Sequence, residues 1–302
     1  MLSSLSSFFW RFIEEKRDFL LDKPRLRAAI RTDLQLLENQ LPYSLLEGLF
    51  EIAFPETKIC EYSSSLFFLL SCAFFYDRMF NKIPDNGEVK HFVDLRRKAI
   101  TRTHPESFST TNNGIPASAF KLQESGVKFT HIAIRELLDI KFEKKKGRIP
   151  RLQVRGELKI PKITVDDWTE CLIRNVMALE QCHYPLETHV CNYIALLDDL
   201  INTKEDVHFL VEAGIISNRM GNTARLTKMF NNLGQQIGLS SSCYGDIVNG
   251  LTAHYEDPWN HAMATLKTVY FGNYWRSTGT IAAIVLLLLT LIQTVCSILQ
   301  VM

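Results

Sequence analysis

Several things are missing from this 302-residue sequence, and each absence narrows what it can be. It has no excess of charge: 34 Lys and Arg against 33 Asp and Glu leave +1, so no global field draws in nucleic acid or an acidic surface. Charge-driven binding has to be local. It has no CxxC pair, and its seven cysteines are odd in number and widely scattered, the usage of a reducing compartment. Cys182 and His183 followed by His189 and Cys191 can be drawn as a zinc site, but structural zinc prefers ligand pairs about two to four residues apart with tetrahedral closure, so no metal is expected. There is no P-loop, no GxGxxG, no HExxH and no GxSxG, and therefore no nucleotide, cofactor or hydrolase signature. No repeat or low-complexity tract occurs. The opening stretch from Leu2 to Ile13 lacks the basic start of a secretory signal, is broken by serines and runs into Arg11, Glu14 and Glu15, so it reads as an amphipathic helix.

What is present is apolar substance, 46% of residues, enough to fill one large core or two small ones. Leu26, Ile30, Leu34 and Leu37 recur at helical spacing through Arg25 to Glu38, and Pro42 opens a second helix from Tyr43 to Ala53. Ser63 to Lys82 is strongly apolar and reads as a core helix ended by Pro84 to Gly87, with another helix from Glu88 to Ile100. The Thr, Ser and Asn residues from Thr101 to Gly114 read as a surface linker. From Val127 to Val165, alternation with Gly and Pro punctuation favours short strands and a hairpin. Asp167 with Glu170, Thr203 with Asp206, and Asn222 or Thr223 then start helices, and Pro258 precedes the last stretch. The expected class is mainly α, with a small β-hairpin or sheet near residues 127–165 and a single C-terminal transmembrane helix. Its expected divisions are a helical part over 1–100, a linker over 101–116, an α-rich part with the β insertion over 117–272, and the transmembrane helix over 276–302.

That last expectation comes from Thr278 to Met302, which carries no charge and no proline. At about 1.5 Å per residue the run reaches roughly 37 Å, enough for a hydrocarbon core of about 30 Å. Tyr270, Phe271, Tyr274 and Trp275 lie where aromatic rings suit a headgroup layer, and Trp275 and Arg276 mark the boundary. Lys267 and Arg276 before the run and no charge after it imply a single-pass, tail-anchored topology with a cytosolic body, at the plasma membrane or the endoplasmic reticulum. Gly279, Ala283, Thr290, Gln293 and Ser297 fall on one stripe, which suggests self-association through a helix–helix contact.

Among charged groups, Lys144, Lys145, Lys146 and Arg148 lie in the densest basic cluster; it is a candidate for contact with anionic membrane lipid, but a solvated hairpin tip is the favoured reading. No stacking aromatics alternate with these cations, so nucleic acid is not an expected partner. The adjacent pairs Asp166–Asp167 and Asp198–Asp199 point to different sides of a helix and read as caps and solvated charges rather than an acid and base pair. His91 and Asp94 are one turn apart but have no nucleophile in a recognisable setting.

Taken together, DLQLLENQLPYSLLEGLFE at Asp33 to Glu51, VKHFVDLRRK at Val89 to Lys98, LQESGVKF at Leu122 to Phe129, LDIKF at Leu138 to Phe142, LIRNVMALEQCHYP at Leu172 to Pro185 and LLDDLINTKEDVHFLVEAGII at Leu196 to Ile216 resemble the plant family catalogued as domain of unknown function 247. The terminal segment from Asn273 to Val295 is similar to that family's last stretch. The Ile-Gly-Pro, aromatic and His motif that usually precedes these segments has no counterpart, so the chain resembles an N-terminally shortened member. The resemblance implies a plant membrane protein with no established catalysis, some of whose grass relatives are linked to pollen and stigma self-recognition. The expected function is that of an interaction or recognition/signalling protein, without catalysis, with an unknown protein partner. The alternatives are a tethered enzyme whose His91, His183 or aspartates meet only in the fold, and a non-functional shortened member.

Overall fold

A computed structural model describes residues 7, 23–55, 66–76, 84, 87–103, 114–132, 136–146, 154–235, 237–238, 241–271 and 274–301. The first described helix, α1 (Pro24–Asp33), opens on a proline, whose missing N–H is harmless in a first turn. A short 3-10 turn at Leu37–Asn39 then leads to Pro42 and α2 (Tyr43–Ala53). Tyr43 meets Phe68, Cys72 and Phe75, from α3 (Leu66–Phe74) and the residue just past it, in a small apolar cluster completed by Leu95. The Tyr43 hydroxyl also reaches Ser71 Oγ at 3.2 Å. Leu95 belongs to α4 (Phe92–Thr101), whose Val93 and Ile100 enter the main core instead. One helix therefore joins two apolar clusters.

After α5 (Ala119–Glu124), Gly126 takes a positive φ of 94°, and β1 (Lys128–Ile132) begins. Strands β2 (Lys141–Lys146) and β3 (Val154–Pro161) pair antiparallel, as expected for a hairpin, with Phe142 opposite Leu158. The other edge of β3 pairs parallel with β1, Phe129 opposite Leu158, giving the order β1-β3-β2. Strand β4 (Ile163–Val165) leaves this sheet to pair parallel with β5 (Ile216–Asn218), Ile163 opposite Ile216. Between them come α6 (Thr169–His183), α7 (His189–Leu200) and α8 (Lys204–Glu212). Helix α7 buries Val190, Cys191, Tyr193, Ile194, Leu196, Leu197 and Leu200, most of its circumference, so it is the central helix of the core. Around it pack Leu158 and Ile160 of the sheet, Val176 and Leu179 of α6, Leu226 and Phe230 of α9 (Thr223–Gly234) and Leu251 of α10 (Gly245–Tyr255). The chain ends in α11 (Pro258–Phe271) and α12 (Tyr274–Val301).

The Thr203–Asp206 signal is a complete capping box: the Asp206 carboxylate accepts from the Thr203 N–H at 2.9 Å while Thr203 Oγ1 accepts from Asp206 N–H at 3.4 Å. Asp206 also accepts from the Phe120 N–H at 2.9 Å, which ties α5 to α8. Burial raises this carboxyl's pKa, but hydrogen bonds from Ser118, the Phe120 N–H and Thr203 outweigh it, and the group sits below the usual carboxylate range. A carboxyl depressed in the folded state adds stability above its unfolded pKa and loses it as pH falls. Asp206→Asn is therefore expected to lower stability by about 1–2 kcal/mol at neutral pH. The gap between its urea midpoint and that of the parent should narrow below about pH 4.

Asn222 caps α9 through Ala224 N–H at 2.9 Å and Arg225 N–H at 3.2 Å, as its position before the helix implied. The start of α6 differs from expectation by one residue. Asp166, rather than Asp167, exchanges hydrogen bonds with Thr169, and Asp167 reaches Arg225 at 2.7 Å. Helix α4 also starts later than its pattern suggested, because the His91 ring nitrogen accepts from Asp94 N–H at 3.2 Å and fixes the boundary.

The transmembrane expectation for 276–302 is corrected. Among the described residues no helix is long and apolar enough to cross a membrane. Helix α12 forms, and Leu286, Leu288, Leu291, Val295 and Ile298 on it are exposed. The single-pass, tail-anchored topology, the cytosolic assignment of the body and the choice between plasma membrane and endoplasmic reticulum lose their basis with it.

Candidate functional site

Reactive chemistry in a protein needs buried or perturbed polar groups that converge, and among the described residues the junction of α4, α6 and α7 gathers such groups. Where α6 ends and α7 begins, the N–H groups of Val190 and Cys191 have no partner within their own helix. Glu180, fully buried on α6, takes them both, at 2.9 Å from Val190 N and 3.0 Å from Cys191 N. Its charge is met by Arg97 of α4, whose Nε lies 3.3 Å from Glu180 Oε1. The same guanidinium donates to the Glu187 carbonyl at 2.9 Å and stacks over the Tyr184 ring at 3.9 Å. Tyr184 in turn donates to Asp94 at 2.9 Å, and Asp94 accepts the Lys90 N–H at 3.0 Å.

Burial pushes the Glu180 carboxyl above its ordinary range; the Cys191 and Val190 amides and the Arg97 charge work against that. The neighbouring Cys191 thiol is pushed well up, first by burial and then by the Glu180 carboxylate, so it stays a thiol and not a nucleophile. Burial also lowers the pKa of His91, against Asp94 and with the help of His183 nearby. The Nδ1 of His91 is occupied as a helix cap, and both Asp94 oxygens have donors. The Arg97–Glu180 pair and the Glu180 contacts with the Val190 and Cys191 amides tie α4, α6 and α7 together. Sequence reasoning missed it, because Arg97 and Glu180 lie far apart in the chain and nothing in their local sequence pairs them.

The other sequence-derived candidates are dispersed. Cys182 is exposed while Cys191 and His189 are buried, and among the described residues no group of three or more His, Cys, Asp or Glu could hold a metal ion. Asp198 lies against Gly234, its carboxyl pushed up to about 6 by burial and then by Asp199, whereas Asp199 accepts the Ile115 N–H at 3.0 Å. Lys144 is exposed on β2; Lys145 and Lys146 follow on the same strand, and Arg148 lies outside the described residues. On α12, Gly279, Ala283 and Gln293 are exposed, and the hydroxyls of Thr290 and Ser297 turn back to Leu286 O at 3.0 Å and Gln293 O at 2.9 Å. The side chains of Trp275 and Arg276 lie outside the described residues.

A second feature is a surface. Helix α2 turns Tyr43, Leu46 and Phe50 toward the protein, and Phe50 meets the Phe67 ring at 5.4 Å. Its opposite side carries Leu45 at 51%, Leu49 at 55% and Ile52 at 79% exposure, preceded by the exposed Leu41. Leu45, Gly48, Leu49 and Ile52 stand at i, i+3, i+4 and i+7, one continuous face. A Cβ placed on Gly48 would meet nothing within 4 Å, so the middle of that face is open and flat. The only charged residues of the helix are Glu47 and Glu51.

Residues 3–289 match the model of a family described as plant protein of unknown function. A UPF0481 protein of Arabidopsis thaliana is 24% identical over 95% of this chain and 64% of its own length. A putative UPF0481 protein of the same plant is 24% identical over 58% of this chain and 32% of its own. The chain thus spans less than two thirds of the length of these relatives. No solved structure matches it.

Proposed function

The chain belongs to that plant family of unknown function, and on this premise we propose that it acts as an interaction protein, without catalysis, that docks a partner protein on the outward face of α2. The observation that carries the reading is the row Leu45, Leu49 and Ile52, exposed at helical spacing on a helix already packed by its other side. Isolated exposed leucines are ordinary, but a contiguous aliphatic row on a monomer is the mark of a surface that is covered in use. Gly48 lets a partner backbone come close. The absence of catalysis is supported by the use of the buried polar groups: Glu180, Arg97, His91 and Asp94 are engaged in holding helices, and the buried thiols are held protonated.

The test substitutes the face without touching the core. Leu45→Asp with Leu49→Asp changes only exposed side chains, so Tm is expected to move by no more than about 2 °C. In proximity labelling from plant tissue, the parent chain should mark a set of proteins that the double variant does not. Indistinguishable sets from the two chains would defeat the proposal.

A further inference from the structure

A groove of about 470 Å³ opens between α5 and α8, and none of its lining residues lies on α2. Its size is that of a site for two or three amino-acid side chains. Four of its residues, Glu205, His208, Phe209 and Glu212, stand at i, i+3, i+4 and i+7 on α8 and therefore form one stripe. Phe120 of α5, 41% exposed, makes the facing wall. Phe209 is held from behind by Phe129, edge-on at 5.1 Å, so its ring is a fixed surface.

Two aromatic faces with carboxylates set two turns apart, about 10 Å along the helix, suit a flat cation. An anion is disfavoured in spite of Lys204 at the first turn. The Thr203–Asp206 box and Asn222 already cap α8 and α9, and two glutamates face the groove. We propose that this groove binds an arginine side chain presented by a peptide segment of another protein, the guanidinium lying on Phe120 and Phe209 and paired with Glu212. Arginine fits better than lysine because its planar fork can stack on a ring and meet a carboxylate with two parallel bonds. Glu212 is available for it: His208 lies 3.6 Å away, an ion pair only when that imidazole is protonated, and both side chains are well exposed.

The experiment titrates the full chain with labelled Gly–Ser peptides carrying a central Leu-Arg-Leu, Leu-Lys-Leu, Leu-Gln-Leu or Leu-Glu-Leu, read by fluorescence anisotropy. The arginine peptide should bind best and the glutamate peptide worst. Phe120→Ser and Glu212→Gln, both at exposed side chains, should each weaken the arginine peptide by about tenfold with the thermal transition unchanged. The α2 double variant should bind it like the parent, which separates this site from the proposed docking face. Equal binding of the arginine and glutamine peptides, preference for the glutamate peptide, no binding at about 1 mM, or an unaltered affinity in both groove variants would overturn it.

Discussion

Arg97→Met is expected to destabilise the protein by about 3–5 kcal/mol, because it leaves the fully buried Glu180 carboxylate without its counter-ion. Against a typical total of about 5–15 kcal/mol, this is a large share of what holds the chain folded. The loss follows from where the charges sit. Glu180 cannot move away, since it is also the partner of the first amides of α7, the most enclosed helix of the core. Replacing both residues, Arg97→Met with Glu180→Met, removes the stranded charge but leaves two buried N–H groups unpaired, at about 1–3 kcal/mol each. The double variant should therefore be less damaged than the sum of the single ones and still be weaker than the parent. The pH dependence has a definite sign. The carboxyl is already raised by burial, and removing Arg97 takes away a force that lowers it. A group whose folded pKa is above its unfolded value gains stability as pH falls through the folded pKa, so the urea midpoint of Arg97→Met should rise from neutral toward about pH 5. A midpoint that is flat or falling over that window would show that Glu180 does not carry the stranded charge.

The second large effect concerns two glycines and one ring. Phe142 of β2 lies in a slot between Gly156 of β3 and Gly250 of α10, and this contact seats the sheet on that helix. A Cβ on Gly250 would stand 2.8 Å from Phe142 Cδ1, and one on Gly156 would stand 2.9 Å from Cε2. Neither distance is tolerable, so Gly250→Ala and Gly156→Ala should each cost about 1–3 kcal/mol by overpacking. Two-sided confinement makes escape hard, since a shift away from one glycine drives the ring toward the other. Phe142→Leu should cost stability by itself but recover part of the Gly250→Ala loss, a non-additive result measurable by a double-mutant cycle in urea. Strict additivity would mean that the ring is not what the new methyl meets.

Much of the helical fold could be read from local chemistry, and what could not has a common cause. The Thr203–Asp206 box, the Asn222 cap and the proline entry to α2 are signals spread over a few residues, and they mark helix starts close to where they occur. The hairpin was legible from alternation; the parallel pairing of β1 with β3 was not, because nothing local records which strand fills the other edge. The α2 segment was clearly helical, yet a repeated apolar row ordinarily points inward, and only the packing of Phe50 against Phe67 reveals that Leu45, Leu49 and Ile52 point out. Glu180 and Arg97 each look like ordinary surface charges in sequence, since their pairing needs three helices to converge. In the last segment composition foresaw a helix, and α12 is one, but the bilayer crossing inferred from the same composition is not supported.

The use of the α2 face can be measured at a single position. A photo-crosslinking amino acid placed at Ile52, the most exposed of the row, reports what lies against it in plant tissue. The account predicts a discrete heavier adduct joining this chain to another protein, lost when Leu45→Asp and Leu49→Asp are added. An adduct confined to the chain itself, or one that persists in the variant, would contradict it.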